Sequence, residues 1–253
     1  LDSWIDRLIP LNSKVIQELE AEGVEWVQID QPILVTSLSE KDLSYVAYIY
    51  DELTKVAPKI KLQLQTYFES VDHYEAVVSL PVHGIGLDFV HDGGRNLQAM
   101  QKYGFPEDKI LGAGVIDGRG IWRADLQQKI DLLHLLSEHV SAERIIVQPS
   151  NSLLHVPVSA EQETKLDSLL REALAFADEK LRELVLLAKA GSLGDEAIAS
   201  DIATSKRCLD ALQNSPSRHR KHVHQAVADL SLQPSKRSSN AAVRKSVQQK
   251  RWQ

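Results

Sequence analysis

Apolar positions along this chain switch repeatedly between the helical repeat and strand-like runs. Trp4, Leu8, Leu11, Val15 and Leu19 recur near the helical spacing and predict an amphipathic helix over residues 3–22, with Gly23 as its stop. Val24–Ile29 is mostly apolar and predicts a strand buried on both faces, ended by Asp30 and Pro32. Ser39-Glu40-Lys41-Asp42 opens a helix in the manner of a capping box, and Leu43, Val46, Ile49, Tyr50 and Leu53 continue it. Ile60–Tyr67 sets Ile60, Leu62 and Leu64 against Lys61, Gln63 and Gln65, the alternation of a strand. A short helix over about 70–80 leads to a strand at Gly84–Val90, and a helical run from Gly93-Gly94 to Tyr103 leads to another at Ile110–Val115.

The remainder continues the alternation before it weakens. Asp125–Val140 reads as a helix with Leu126, Ile130, Leu133 and Leu136 on one face, followed by a fifth strand at Arg144–Val147. One long helix is predicted from about Ala160 to Ala190, carrying Leu166, Leu169, Leu170, Leu174, Leu181, Leu184 and Leu187. Beyond Gly191, Glu196–Leu212 forms a last helix, and residues 214–253, rich in Ser, Lys, Arg and Gln, read as an extended linker or tail. Alternating strands and helices of this spacing imply parallel pairing with right-handed crossovers. The fold class is α/β: a partial (β/α)8 TIM barrel of about five βα units, with a helical and linker tail. A closed barrel takes eight strands, so about three are expected upstream of Leu1. The chain starts with Leu1 and its one Met is Met100, which gives the sequence the look of a segment of a longer protein.

Composition narrows the setting. An apolar share of 43% and a charged share of 25% are those of an ordinary globular protein. No apolar run reaches the length of a membrane span, and the first residues lack a signal peptide's apolar core. The single Cys208 excludes an internal disulfide and fits a reducing compartment, so the expected location is cytoplasmic. Charge is uneven: residues 216–253 hold nine Lys/Arg against Asp229, a local +8, so the rest carries −14 for a total of −6. Trp252 is the only aromatic in that tail, which leaves no stacking platform for nucleic acid. A solvated interdomain linker is the preferred reading over a nucleic-acid-binding arm, and no membrane partner is expected.

Five strand-to-loop transitions place polar groups just past a buried strand, where the loops of a (β/α) barrel converge on one mouth. They contain WVQIDQP (26–32), LQTYF (64–68), LDFVH (87–91), LGAGVIDGRGIWR (111–123) and QPSNSLLHVP (148–157), followed by ETKLD at Glu163–Asp167. Taken in this order, these motifs resemble the cobalamin-independent methionine synthases, in the later part of their N-terminal barrel. The resemblance covers residues 1–190 strongly and 191–253, the terminal helix and basic interdomain linker, loosely.

The resemblance implies a two-barrel methyltransferase that moves methyl from 5-methyltetrahydrofolate, in its polyglutamate form, to homocysteine. Zinc is expected in an absent C-terminal catalytic barrel, with no cofactor or metal in this segment. The segment is expected to support that barrel, its partner, and the folate-side cleft, to hold no catalytic residue, and to be inactive alone. Where the catalytic copy carries its zinc-binding His and Cys, this chain has Thr66, Tyr67 and Phe68. At the place of a further Cys it has Asn151, and Asp88 alone cannot hold the metal. A free-standing folate- or amino-acid-binding module is the alternative.

Seven residues are candidates for ligand contact or the barrel interface: Asp30, Asp88, Asp117, Arg119, Trp122, Asn151 and His155. Asp30 reads either as a loop cap or as a contact for a ligand amine. Asp117 and Arg119 read as a pair that shapes the mouth, with the Arg119 fork suited to a carboxylate or phosphate. Trp122 either packs on the next helix or stacks on a pterin. His155 reads as a buried imidazole bonded to a backbone carbonyl, ahead of a proton-transfer group. His83, His91, His219, His222 and His224 raise the question of metal without a sensible third ligand, and Cys208 has no paired base.

Overall fold

A computed structural model describes residues 2–231 and 240–251. Five parallel strands form one sheet in the order β1-β2-β3-β4-β5: β1 Trp26–Asp30, β2 Lys61–Gln65, β3 Gly84–Asp88, β4 Ile110–Ile116 and β5 Ile145–Pro149. Strictly sequential order, without the reversal of a doubly wound sheet, is the order of a (β/α) barrel. The fold is therefore part of such a barrel, left open. Between and around the strands lie α1 Asp2–Ala21, α2 Glu40–Val56, α3 Tyr74–Val78, α4 Arg95–Tyr103 and α5 Leu126–Ser137, with α6 Ser168–Ala173, α7 Ala177–Leu193 and α8 Ala199–Gln213 following β5. The capping box at Ser39 is formed: its hydroxyl accepts from the Asp42 amide, and the Asp42 carboxylate accepts from the Ser39 amide.

The two faces of the sheet differ in chemistry. Leu62, Leu64, Ile85, Leu87, Leu111, Ala113 and Val115 point one way, are buried, and pack with Tyr50, Leu53, Met100, Ile130 and Leu187 of the helices. The opposite face carries rows set by the register. Gln28 lies beside Gln63 and Gly84, and Asp30 beside Gln65, Gly86 and Gly112. Gln63 donates to Gln148 at 3.3 Å, and Gln148 donates in turn to Gln65. These side chains lie flat across glycines: a Cβ on Gly86 would fall 1.8 Å from Gln65 Oε1, and one on Gly112 2.6 Å from Gln148 Oε1. The inward surface of this open barrel is an amide network on a glycine floor.

Several expectations are corrected. β1 is not buried on both faces: Gln28 and Asp30 are exposed, because β1 is an edge strand with β2 as its partner. On α1 the buried apolar residues are Ile5 and Ile16, while Trp4, Leu8, Leu11 and Val15 are exposed, because the helix is apolar on two adjoining stripes and only one meets α2. The long helix over 160–190 is broken. Asp167 caps α6 by accepting from the Leu170 amide at 2.9 Å, the chain then extends through Leu174 and Ala175, and Glu179 starts α7 by accepting from the Phe176 amide at 3.0 Å.

The chain divides into two compact units, Leu1–Asp210 and Ala211–Gln253. In the second, the stretch read as extended is helical over α9 Lys221–Ser231 and α10 Ala241–Arg251. Val223, Val227 and Leu230 recur at helical spacing there, as do Val243 and Val247, and all five are exposed. Trp252 lies outside the described residues, as does part of the basic tail. Among the described residues, no helix is long and apolar enough to cross a membrane.

Candidate functional site

The C-terminal ends of β2, β3, β4 and β5 are joined by one chain of hydrogen bonds. Its anchor is Asp88 at the end of β3, whose side chain is fully buried. Asp88 Oδ1 accepts from the amides of Val90 at 2.7 Å and His91 at 2.9 Å, and Oδ2 accepts from the Phe68 amide beyond β2 at 3.1 Å. His91 Nδ1 lies 2.9 Å from the same Oδ2, and its Nε2 lies 3.3 Å from Asp117 Oδ1 beyond β4. A carboxylate buried with this many donors is held as an acceptor and fixes the groups around it.

Asp117 continues the chain. Its Oδ1 accepts from the amides of Arg119 at 2.8 Å and Gly120 at 2.9 Å, closing a tight turn in which a Cβ on Gly120 would fall 2.2 Å from Asp117 Oδ2. Burial alone would raise the Asp117 carboxyl. The Gly120 and Arg119 amides, with the charges of His91 and Lys180, outweigh it and hold the group below the usual carboxylate range. The Gly118 amide donates to Ser150 Oγ at 3.2 Å, and Ser150 Oγ donates to Asn151 Oδ1 at 3.1 Å. Asn151 is buried beneath the turn, where its amide donates to Ser152 O at 3.1 Å.

On this frame stands an aromatic and cationic cluster. Phe68 has φ +79°, the one non-glycine residue with positive φ among the described residues. A bulky side chain in that region is strained and persists where its surroundings impose it. The Arg119 guanidinium lies over the Phe68 ring, 5.4 Å from its centroid, and the His155 ring meets Phe68 edge-on at 6.1 Å. Asp30 sits nearby in sequence register rather than in the chain itself: it accepts from Gln28 Nε2 at 2.8 Å and from the Tyr67 hydroxyl at 3.0 Å. Burial raises the Tyr67 hydroxyl, and the bond to Asp30 adds to it.

Two of the expected details change. Asp117 and Arg119 are linked through the Arg119 amide rather than by an ion pair, and the guanidinium stacks on Phe68. His155 is exposed, because the loop carrying it turns out from β5 and leaves its ring on Phe68. Trp122 is 46% exposed, its backbone bridges Leu174, and its carbonyl accepts from Lys180 at 3.3 Å. Glu183 accepts from the Ala124 amide at 2.9 Å, and among the described residues its second carboxylate oxygen is buried without a hydrogen-bond partner. Burial pushes Glu183 up and Lys180 down.

The residue that the sequence reading does not place in this frame is His91, which raises there only the question of metal. Its signal was local: an acid ending a strand with a His three residues on, so that one ring nitrogen returns to the acid and the other faces outward. The residues do not fit zinc. Thr66 donates to Gly86 O at 2.8 Å, Tyr67 is held by Asp30, Asn151 by its own loop, and Asp88 by three amides. Among the described residues, no group of three or more His, Cys, Asp or Glu side chains is disposed to hold a metal ion.

Comparison with known proteins shows the family. The family described as "Cobalamin-independent synthase, N-terminal domain" matches residues 2–141. The chain belongs to that family. A 5-methyltetrahydropteroyltriglutamate–homocysteine methyltransferase from Listeria welshimeri is 47% identical over 226 residues, 89% of this chain and 30% of the relative. The protein of the same description from Halalkalibacterium halodurans is 43% identical over 253 residues, 100% of this chain and 33% of the relative. A solved B12-independent methionine synthase from Shewanella sp. W3-18-1, in complex with selenomethionine, overlaps only loosely. Its TM-score is 0.46 at 16% identity, over 76% of this chain and 54% of that one. This member of the cobalamin-independent synthase family thus spans about a third of the length of the curated relatives it matches.

Proposed function

We propose that this chain is the later part of the N-terminal barrel of a methyltransferase that makes methionine from homocysteine. The methyl donor in this reading is 5-methyltetrahydrofolate carrying a polyglutamate tail. Residues 1–190 are the barrel part and 191–253 the terminal helix and basic interdomain linker. The thiolate-binding zinc and the transfer itself belong to a further barrel, in a cytoplasmic protein. Seven residues lie on the face turned to the folate-side cleft or that barrel: Asp30, Asp88, Asp117, Arg119, Trp122, Asn151 and His155.

The observation that supports this most is the frame from Phe68 through Asp88, His91 and Asp117 to Asn151. It fixes four strand ends with groups that are spent on one another, which suits a support and a binding wall better than a reacting centre. The intact mass of the natural gene product, followed by an assay of homocysteine methylation, tests the reading. A mass near that of the relatives with methyl transfer supports it. A mass at 28.3 kDa without transfer overturns it and leaves a free-standing binding module.

A further inference from the structure

We infer that Lys180 and Glu183 on α7 form a proton-controlled latch on residues 121–124, the segment that follows the mouth turn. The inference stands apart from the methyl-transfer reading, because it rests on how this segment is held. Three parts of the chain grip it. The Arg123 amide donates to Ala173 O and the Ala175 amide to Ile121 O, both at 2.9 Å. Ser205 on α8 donates to Ala124 O at 2.5 Å. From α7, Lys180 donates to Trp122 O, and Glu183 accepts from the Ala124 amide.

The two α7 side chains are deeply buried, with Lys180 1% and Glu183 5% exposed. Three residues apart on one helix, they are neighbours. Lys180 nevertheless donates to a neutral carbonyl, while the second oxygen of Glu183 has no hydrogen-bond partner among the described residues. Among those residues no ion pair joins the two. In a low-dielectric interior an ammonium is drawn far more strongly to a carboxylate than to a carbonyl. The observed arrangement is therefore that of a neutral Glu183.

When Glu183 gives its proton to solvent, the buried charge left behind requires a partner. Lys180 is placed to supply it: the ammonium turns from Trp122 O to Glu183, and the carbonyl loses its donor. The other cations nearby have other engagements. Arg123 donates from Nε to Glu172 O at 3.0 Å, Arg182 lies 3.7 Å from Glu161, and Lys129 on α5 also faces Asp117 and Asp125. Asp117 faces Lys180 as well, and Glu179 and Asp201 line the cleft beside Glu183. Burial, joined by Glu179, favours the neutral acid over the pull of the Ala124 amide, Lys180 and Arg123.

Amide hydrogen exchange of the natural gene product, followed from pH 4.5 upward and expressed as protection relative to the unfolded chain, tests the latch. The Arg123 and Ala175 amides should lose protection about fivefold or more beyond any change in β3 and β4, the size expected for one lost hydrogen bond. In Glu183→Gln the acid cannot ionise, so that excess loss should vanish. In Lys180→Met the donor is gone at every pH, so protection of both amides should be low and without the excess dependence. Absence of the excess loss in the parent overturns the latch. Its persistence in Glu183→Gln shows that another group titrates, and its persistence in Lys180→Met shows that the ammonium does not move; either result also overturns it.

Discussion

At the scale of single residues, Asp88 carries more of the mouth than any other side chain. It is fully buried and serves amides from two loops besides His91. Asp88→Ala strands those donors in a buried place, and the expected loss is about 3 kcal/mol or more. Asp88→Asn keeps one acceptor and should cost less. Urea unfolding of the natural protein measures both, and equal midpoints for Asp88→Ala and the parent would remove Asp88 from its anchoring place. Glu183 makes a prediction of a different kind. Burial raises its folded-state pKa above the ordinary 4.5, so between 4.5 and that raised value the folded protein binds more protons than the unfolded chain. The associated stability is fully present below 4.5 and is lost as pH rises through the raised value. Glu183→Gln cannot titrate, and its amide oxygen can still accept from Ala124. Its unfolding midpoint should fall less steeply than the parent's as pH rises from 4.5. Parallel curves would show that Glu183 does not titrate in that window.

At the scale of elements, the inward face of the sheet depends on where glycine sits and on what each one meets. A Cβ on Gly86 would meet the far end of Gln65, which can swing away by giving up its link to Gln148. A Cβ on Gly114 would fall 2.7 Å from the Leu87 carbonyl and 3.0 Å from Ser150 Cα, both backbone. Gly86→Ala should therefore cost about 1–2 kcal/mol and Gly114→Ala more, about 3 kcal/mol, because overpacking against backbone has no cheap relief. Thermal unfolding of the two variants ranks them, and the reverse order would mean that the amide network resists more than the strand does. The five strands were legible in sequence because buried parallel strands leave unbroken or alternating apolar runs between turn signals. The break at Leu174–Phe176 was not, because its leucines keep helical spacing on both sides while the stop is set by Asp167, Glu179 and a bridge to Trp122. His91 was hidden for a related reason: its second partner lies on another strand, and only the register brings Asp117 to it. The exposed side of α1 was hidden because two apolar stripes adjoin on one helix, and sequence does not say which of them meets α2.

At the scale of the whole molecule, the open sheet is the dominant physical fact. Among the described residues, β1 has β2 as its only strand partner and β5 has β4, so each end of the sheet leaves a row of unpaired amides and carbonyls. Such edges pair with other chains unless they are covered. Apolar surface lies beside both of them. Along β1 runs a groove lined by Ile5, Ile9, Leu19, Val27, Ile29 and Tyr50, where, among the described residues, the Tyr50 hydroxyl is buried without a hydrogen-bond partner. At β5, Ile146 is 46% exposed, and Trp4 on α1 is 63% exposed. Exposed edges with adjoining apolar patches favour self-association. Residues 1–253 produced alone should therefore scatter light as a multiple of 28.3 kDa or as larger aggregates, increasingly so with concentration. Ile146→Lys and Leu8→Glu set charge on the two sides and should move the mass toward the single chain, with the double substitution most effective. If the parent chain is already a stable monomer at high concentration, both edges must be covered in solution by the chain itself. If the charged variants associate as readily as the parent, the contact lies elsewhere, and the exposed valine stripes of α9 and α10 become the surfaces to test.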